Sequence, residues 1–282
     1  MKTCFVLEGG ALRGLYTCGI LDYLLEKKLN IDCIIGVSAG ALFGVNYFSK
    51  QKGRAIRYNR KYCNDKRYMS LRSLILTGNI VNKKFAYYKV TKELDPFDEE
   101  TFEKTKKDFF AVVTNLDTGS PEYIKIEKPI EQLEELRATS AMPLLSKIIK
   151  INDKKYLDGA VSDSIPVMKA LEMGYEKVVV ITTQPYDYKK KELTEKEIKK
   201  FQKRYKKYPN FINAAIDRPK KYNNTLDKMK KLEKEKKIYV IRPSEKIEIN
   251  PIKKNIEDLN FVYNLGLNDI KNKYKDLIEY LK

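Results

Sequence analysis

Ile31-Asp32-Cys33-Ile34-Ile35-Gly36-Val37-Ser38-Ala39-Gly40 is the stretch that decides how this chain folds. The β-rich run Ile31 to Ile35 leads into a Gly-x-Ser-x-Gly turn, and helix-compatible residues continue to Phe48. Strand, tight turn and helix are what a nucleophile elbow requires, with the serine held in a strained backbone conformation. Gly36 and Gly40 carry no Cβ, so strand and helix can pass closely. A serine hydroxyl is a weak nucleophile and needs a base beside it. The usual base is histidine, and none of the 282 residues is a histidine. If Ser38 is a nucleophile, its base must be of another kind; otherwise the turn is a glycine-rich connection with an incidental serine.

The flanking sequence places this turn in a repeating pattern. Lys2 to Leu7 reads as a buried first strand, followed at once by Gly9-Gly10-Ala11-Leu12-Arg13-Gly14. Leu15, Cys18, Gly19, Leu21, Leu24 and Leu25 recur at helical spacing, which predicts an amphipathic helix over 13–28. With the strand at 31–35 and a helix over 38–48, the opening is β-α-β-α, which argues for a layered α/β fold around a parallel sheet. Residues 51–107 are polar, aromatic and charged and read as several helices covering the sheet. Strands are expected at 109–113, 121–126, 177–183 and 238–241, and helices at 130–137, 167–173 and 256–281. Between the last two strands the composition shifts: residues 185–237 hold 19 Lys and Arg against 8 Asp and Glu. Helical runs at 192–205 and 225–237 fit there, with Pro209 and Pro219 expected to break the stretch. The whole is read as a single domain, 1–282. Its parts are a core at about 2–184, a basic helical cap or insertion at about 185–237, and a closing strand and helix at 238–282.

Two further pieces could complete a site with Ser38. A glycine-rich turn opening a helix aims successive backbone N–H groups at one point and can cradle an anion. In acyl transfer the same cradle serves as an oxyanion hole. Gly9, Gly10 and Ala11 carry little side chain, so a substrate can approach their backbone. The spacing matches neither the dinucleotide fingerprint nor the phosphate-binding P-loop; taken alone, it is also compatible with a purely structural turn. The second piece is Asp158-Gly159-Ala160. A carboxylate there could accept the serine proton directly, although Asp-Gly is also a common turn.

Together the pieces resemble the patatin-like phospholipases. Glu8-Gly9-Gly10-Ala11-Leu12-Arg13-Gly14, Gly36-Val37-Ser38-Ala39-Gly40 and Asp158-Gly159-Ala160 stand in that family's order and rough spacing, and Ala138-Thr139-Ser140-Ala141-Met142-Pro143 looks like its stretch ahead of the aspartate. The resemblance covers about residues 2–184. It implies a three-layer α/β/α sandwich and a Ser-Asp dyad that works without histidine. By that resemblance Ser38 is the nucleophile, Asp158 the base, and Gly9, Gly10 and Ala11 the oxyanion donors, with Arg13, Gly14, Gly36, Gly40 and Gly159 as supporting residues. Ala11 departs from the family's frequent third glycine, but its N–H is retained. Arg13 matches a basic position at the start of the helix and is equally readable as a substrate contact or a surface charge. The implied activity is a serine esterase that cleaves fatty-acyl esters of lipids, with no cofactor. An acyltransferase or a non-enzymatic binding protein on the same fold is the alternative.

Composition sets the outer bounds. The longest apolar runs, such as Val178 to Ile181, are far too short to cross a bilayer. The N-terminus reaches Glu8 too soon to hold a signal-peptide apolar region, so a cytoplasmic protein is expected. Four cysteines without Cys-x-x-Cys spacing, in a chain without histidine, speak against a zinc site and read as small buried apolar residues. The net charge of +18 favours anionic partners, and is also what a lysine-rich composition produces with no such partner. Residues 185–237 can be read as a surface that meets an anionic membrane peripherally, with Tyr186, Tyr188, Phe201, Tyr205, Tyr208 and Phe211 at the interface, or as an ordinary solvated helical face with a few of these aromatics packed inward. No nucleic-acid motif is visible, so no specific nucleic-acid partner is expected; oligomeric state is not legible.

Overall fold

The structure, a computed structural model, describes residues 1–249 and 255–282. Its centre is an eight-stranded sheet: β1 (Thr3–Leu7), β2 (Cys33–Val37), β3 (Asp108–Asn115), β4 (Pro121–Lys125), β5 (Ile149–Ile151), β6 (Lys154–Asp158), β7 (Lys177–Ile181) and β8 (Ile238–Ile241). β1, β2, β3, β7 and β8 are parallel, whereas β4 and β6 run antiparallel to β3 and β5 antiparallel to β6. The parallel strands are nearly continuous apolar runs because helices cover both faces. Alternation then sorts the side chains. Phe5 and Leu7 of β1 point into one apolar cluster, Cys4 and Val6 into the other.

The first face is covered by α1 (Leu15–Glu26), α2 (Ala39–Phe48), α3 (Arg54–Tyr62), α5 (Glu99–Lys104), a π-helix at Lys83–Leu94 and the closing α10 (Ile256–Leu281), while α4 (Leu71–Thr77) follows α3 at the surface. α1 and α10 cross very closely: a Cβ at Gly19 would lie 2.1 Å from the Tyr263 carbonyl oxygen. The Tyr16 hydroxyl donates to Asp269 at 3.0 Å and that of Tyr263 to Asp22 at 2.8 Å, which ties the last helix to the first. The second face carries α7 (Val167–Glu172) and part of α9 (Pro209–Lys234). α6 (Leu133–Thr139) and α8 (Glu195–Arg204) pack with β5, β6 and the start of α9 around a third cluster. The result is the expected three-layer α/β/α arrangement.

Several local expectations shift. The glycine-rich turn enters α1 through a 3-10 turn, Ala11–Gly14, so the α-helix starts at Leu15. Pro209 does not break the basic stretch; it starts α9, where a missing N–H costs nothing. Pro219 lies buried inside the same helix, which runs on to Lys234. Tertiary packing against the sheet and β8 outweighs the one backbone hydrogen bond that Pro219 forgoes. Residues 185–237 therefore form the connection between the adjacent parallel strands β7 and β8. The aromatic residues of this stretch mostly take the inward one of their two readings: Tyr205 is 1% and Phe211 0% exposed, and of the six only Tyr186 is clearly exposed. Their rings stack on one another, with Tyr205 and Phe211 centroids 4.9 Å apart, because burying them holds α8 and α9 to the sheet.

Candidate active site

β3 brings the two separated motifs together. β2 pairs with residues 108–112 of β3, β6 with 113–115, and β4 with 110–114. Since β4 shares residues with each of the others, it takes one edge of β3, and β2 and β6 lie end to end along the opposite edge. Val37 is opposite Val112 and Asp158 opposite Val113. Two strands running in opposite directions thus meet at their C-terminal ends, where Ser38 follows one and Asp158 closes the other.

At that junction the Ser38 hydroxyl donates to Asp158 Oδ2 at 2.7 Å. Ser38 has φ 53° and ψ −123°, a strained conformation for a residue with a side chain. The close packing around the elbow imposes it: a Cβ at Gly40 would lie 2.4 Å from the Leu7 carbonyl oxygen, and one at Gly36 2.5 Å from Ala41 Cα. The Ser38 N–H donates to Thr139 Oγ1 at 2.9 Å, which pins the turn to α6. The other Asp158 oxygen accepts from the Ala160 N–H at 2.8 Å, and the Asp158 carbonyl accepts from the Thr114 hydroxyl, also at 2.8 Å. Gly159 makes this turn feasible, because a Cβ there would lie 2.1 Å from the Val112 carbonyl oxygen. Burial pushes the Asp158 carboxyl above its ordinary value, while the Ser38 and Ala160 hydrogen bonds and the charge of Arg218 pull it down.

The Gly9–Ala11 turn stands directly against the serine: a Cβ at Gly9 would lie 2.8 Å from Ser38 Cβ. Among the described residues, the N–H groups of Gly9, Gly10 and Ala11 donate to no backbone carbonyl, whereas those of Glu8 and Arg13 do. Ala11 holds φ 49°. Gly14 packs on Ala39 and Phe43, so the 3-10 turn rests on the start of α2. Glu8, buried beneath the turn, accepts from the Thr183 N–H and from the Tyr222 hydroxyl, each at 2.6 Å. These contacts tie the turn to the end of β7 and to α9.

Two cavities meet at Ser38. One, of about 140 Å³, is apolar and runs under α2, α3 and the π-helix, with Leu42, Phe43, Ala86, Val90 and Leu136 in its wall. The other, an open cleft of about 720 Å³, contains Asp158 and the glycine turn and is walled by Arg13, Lys190, Arg218 and Tyr222. Every residue that the sequence motifs point to therefore lies at or beside Ser38. Thr139, to which the sequence reading assigns no role, and Thr183, Tyr222, Lys190 and Arg218, outside the motifs, also join the site. Thr139 belongs to the Ala138–Pro143 stretch; the other four carry no local signal. Among the described residues no group of three or more Cys, Asp or Glu stands together as metal ligands do, and the four cysteines are buried and free.

The family model for patatin-like phospholipase matches residues 5–171, and a domain of unknown function, DUF6363, matches 208–282. The uncharacterized protein YjjU of Escherichia coli K12 is 28% identical over 189 residues, covering 65% of this chain and 52% of that protein. The probable lipid hydrolase 463L of Invertebrate iridescent virus 6 is 26% identical over 211 residues, covering 65% of this chain and 71% of that protein. The chain thus spans about half the length of the bacterial relative. The crystal structure of VipD from Legionella pneumophila superposes with a TM-score of 0.47 at 12% identity, covering 96% of this chain and 66% of that one. With more than half of its residues matched by the family model, the chain belongs to the patatin-like phospholipase family.

Proposed function

We propose that the protein is a lipid acyl hydrolase working through a Ser38–Asp158 dyad, a reading carried by the 2.7 Å hydrogen bond between them. Ser38 Oγ attacks the ester carbonyl while its proton passes to Asp158. The negative oxygen of the tetrahedral intermediate meets the N–H groups of the Gly9–Ala11 turn. Collapse breaks the bond to the leaving alcohol, which takes the proton from Asp158. Water then attacks the acyl-enzyme, again giving its proton to Asp158, and the fatty acid leaves as Ser38 is restored. An aspartate of ordinary pKa is a feeble base near neutrality; burial raises that of Asp158 toward the useful range. The apolar cavity receives the acyl chain, and the cleft takes the remainder of the lipid.

Turnover of a p-nitrophenyl ester and labelling by a fluorophosphonate test the dyad. Both are expected in the wild type and lost in Ser38→Ala; equal turnover by that variant ends the proposal. On this reading residues 2–184 form the catalytic core, 185–237 the basic cap and 238–282 the closing strand and helix of one working unit.

The lipid is met at a membrane surface. No helix among the described residues is long and apolar enough to cross one. α4, capped by the Ser70 hydroxyl, exposes Leu71, Ile75 and Leu76, the last two at 82% and 69%. Its flanks, Met69 and Val81, line the apolar cavity, and the Ile80 N–H donates to Leu145 at the edge of the cleft. The segment around α4, which carries Arg72, thus adjoins residues of both cavities, and the basic 185–237 segment supplies attraction to anionic lipid, about 1 kcal/mol per surface cation. Co-sedimentation with phosphatidylglycerol vesicles is expected to weaken with salt and in Ile75→Glu; binding indifferent to both would exclude this docking.

A further inference from the structure

The cleft beside Ser38 holds a concentration of positive charge that the hydrolytic chemistry does not use. Arg13 reaches it from the 3-10 turn, Lys190 from the segment after β7, and Arg218 from α9. Among the described residues none of the three is paired with a carboxylate. Arg13 Nε is buried without a hydrogen-bond partner. Arg218 Nε reaches only the Ser164 hydroxyl, at 3.5 Å. The Lys190 ammonium lies over the Tyr222 ring, 4.9 Å from its centre. The carboxylates of the same cleft are already engaged, Glu8 by Thr183 and Tyr222, Asp158 by Ser38 and Ala160. Burial also raises both of them.

The arrangement is built rather than incidental. The Lys190 backbone is clamped to α9 from both sides: its N–H donates to Asn223 Oδ1 at 2.9 Å, and Asn223 Nδ2 donates to its carbonyl at 3.0 Å. Lys190 and Arg218 are thus carried by one rigid unit. Holding like charges together in a partly buried cleft is unfavourable unless an anion joins them. The Lys190 ammonium shows that strain: burial, then the charge of Arg218, pushes it down to about 8, with Glu8 opposing and Arg13 adding to the effect.

We propose that Lys190 and Arg218, reinforced by Arg13, form a subsite for the phosphate of the substrate's headgroup, which selects anionic lipids over those whose phosphate is compensated by a quaternary ammonium. The inference rests on the lipid-hydrolase reading. The acyl ester sits at Ser38, and the phosphate sits in the same cleft against the cationic wall. A guanidinium and an ammonium together match a phosphate with charge-assisted hydrogen bonds, and the same field repels a choline group.

Binding separates this inference from the catalytic one. Using the full chain with Ser38→Ala, which needs no turnover, titration calorimetry compares lysophosphatidylglycerol with lysophosphatidylcholine of the same acyl chain, below their micellar concentrations. The anionic lipid is expected to bind at least about tenfold tighter. Adding Lys190→Ala or Arg218→Ala should bring the ratio close to one, and Lys190→Arg should keep it. Equal affinity for the two lipids with Lys190 and Arg218 intact, or a preference untouched by both alanine variants, would overturn the subsite. Inorganic phosphate identifies the source of the anion. Competition with the anionic lipid alone supports a headgroup site, whereas binding of phosphate that leaves lipid affinity unchanged overturns it. If the binding preference is found in a protein whose wild type cleaves no ester, the hydrolase reading fails and the subsite stands.

Discussion

The two cavities that meet at Ser38 are built differently. The apolar one is walled by residues between Ala11 and Met142, within the segment that the phospholipase family model matches. The cleft takes its far wall from Gln184 to Tyr222, all of it outside that segment. Under the proposed function, chain accommodation and chemistry thus come from the family core, and the charged environment of the headgroup from the connection between β7 and β8. The exposed positions of this connection can change without disturbing the sheet, whereas Tyr222 and Met229, packed on it, cannot.

Removing the Ser38 hydroxyl, which stands in both cavities, should have the largest effect. Ser38→Ala is expected to lower ester turnover by about 10³-fold or more, and Asp158→Asn by a similar order, measured by steady-state kinetics on a p-nitrophenyl ester. If Asp158→Asn stays active with an unchanged acid-side profile, the base is elsewhere. In the wild type, kcat/KM should fall about tenfold per pH unit below the carboxyl's raised pKa, because the protonated form cannot accept the serine proton. That limb should lie above the ordinary value of 3.8. The stability contribution has the opposite sense. A raised native pKa means that the native state holds its proton longer, so the contribution is full below 3.8 and is lost as pH rises through the raised value.

Next comes the junction that positions Asp158. Gly159→Ala would force a Cβ into the Val112 carbonyl and is expected to destabilise by about 2–3 kcal/mol, read as a lowered thermal midpoint with weakened turnover. A midpoint equal to wild type would mean that the turn is looser than its contacts imply. Ala86→Phe, on the wall of the apolar cavity, separates the two sides of the comparison. Its loss of kcat/KM should grow with chain length, to about tenfold for a palmitoyl ester and less for a butyryl ester. A uniform loss across chain lengths would move the acyl chain out of this cavity. The smallest effect belongs to the surface: Ile75→Glu should reduce activity on vesicles a fewfold more than activity on a soluble ester, and equal ratios would remove α4 from the interface.

Much of the fold is legible locally. The apolar runs at β1, β2, β7 and β8 and the Gly-x-Ser-x-Gly turn act over a few residues, and alternation, β-branching and the absence of Cβ are properties of the residues themselves. Pro219 misleads for the opposite reason, and the same reason leaves the aromatic residues of 185–237 readable two ways. Their fate depends on what lies across from them, and packing on the sheet draws Tyr205 and Phe211 inward and carries a helix through a proline.

The lack of histidine is a property of composition alone, and it suffices to exclude the familiar triad whatever the fold. Which carboxylate stands beside Ser38 is a matter of register: β2 and β6 must end at neighbouring positions on β3 for residues 120 apart in sequence to share a hydrogen bond. The cationic wall depends on tertiary structure more completely still. Arg13, Lys190 and Arg218 belong to different elements; Arg13 lies in the glycine-turn motif, but nothing in the neighbourhoods of Lys190 and Arg218 distinguishes them from the other cations of a lysine-rich chain. Long-range placement follows from how the sheet is covered, and a covering helix carries its charges wherever its apolar face obliges it to lie.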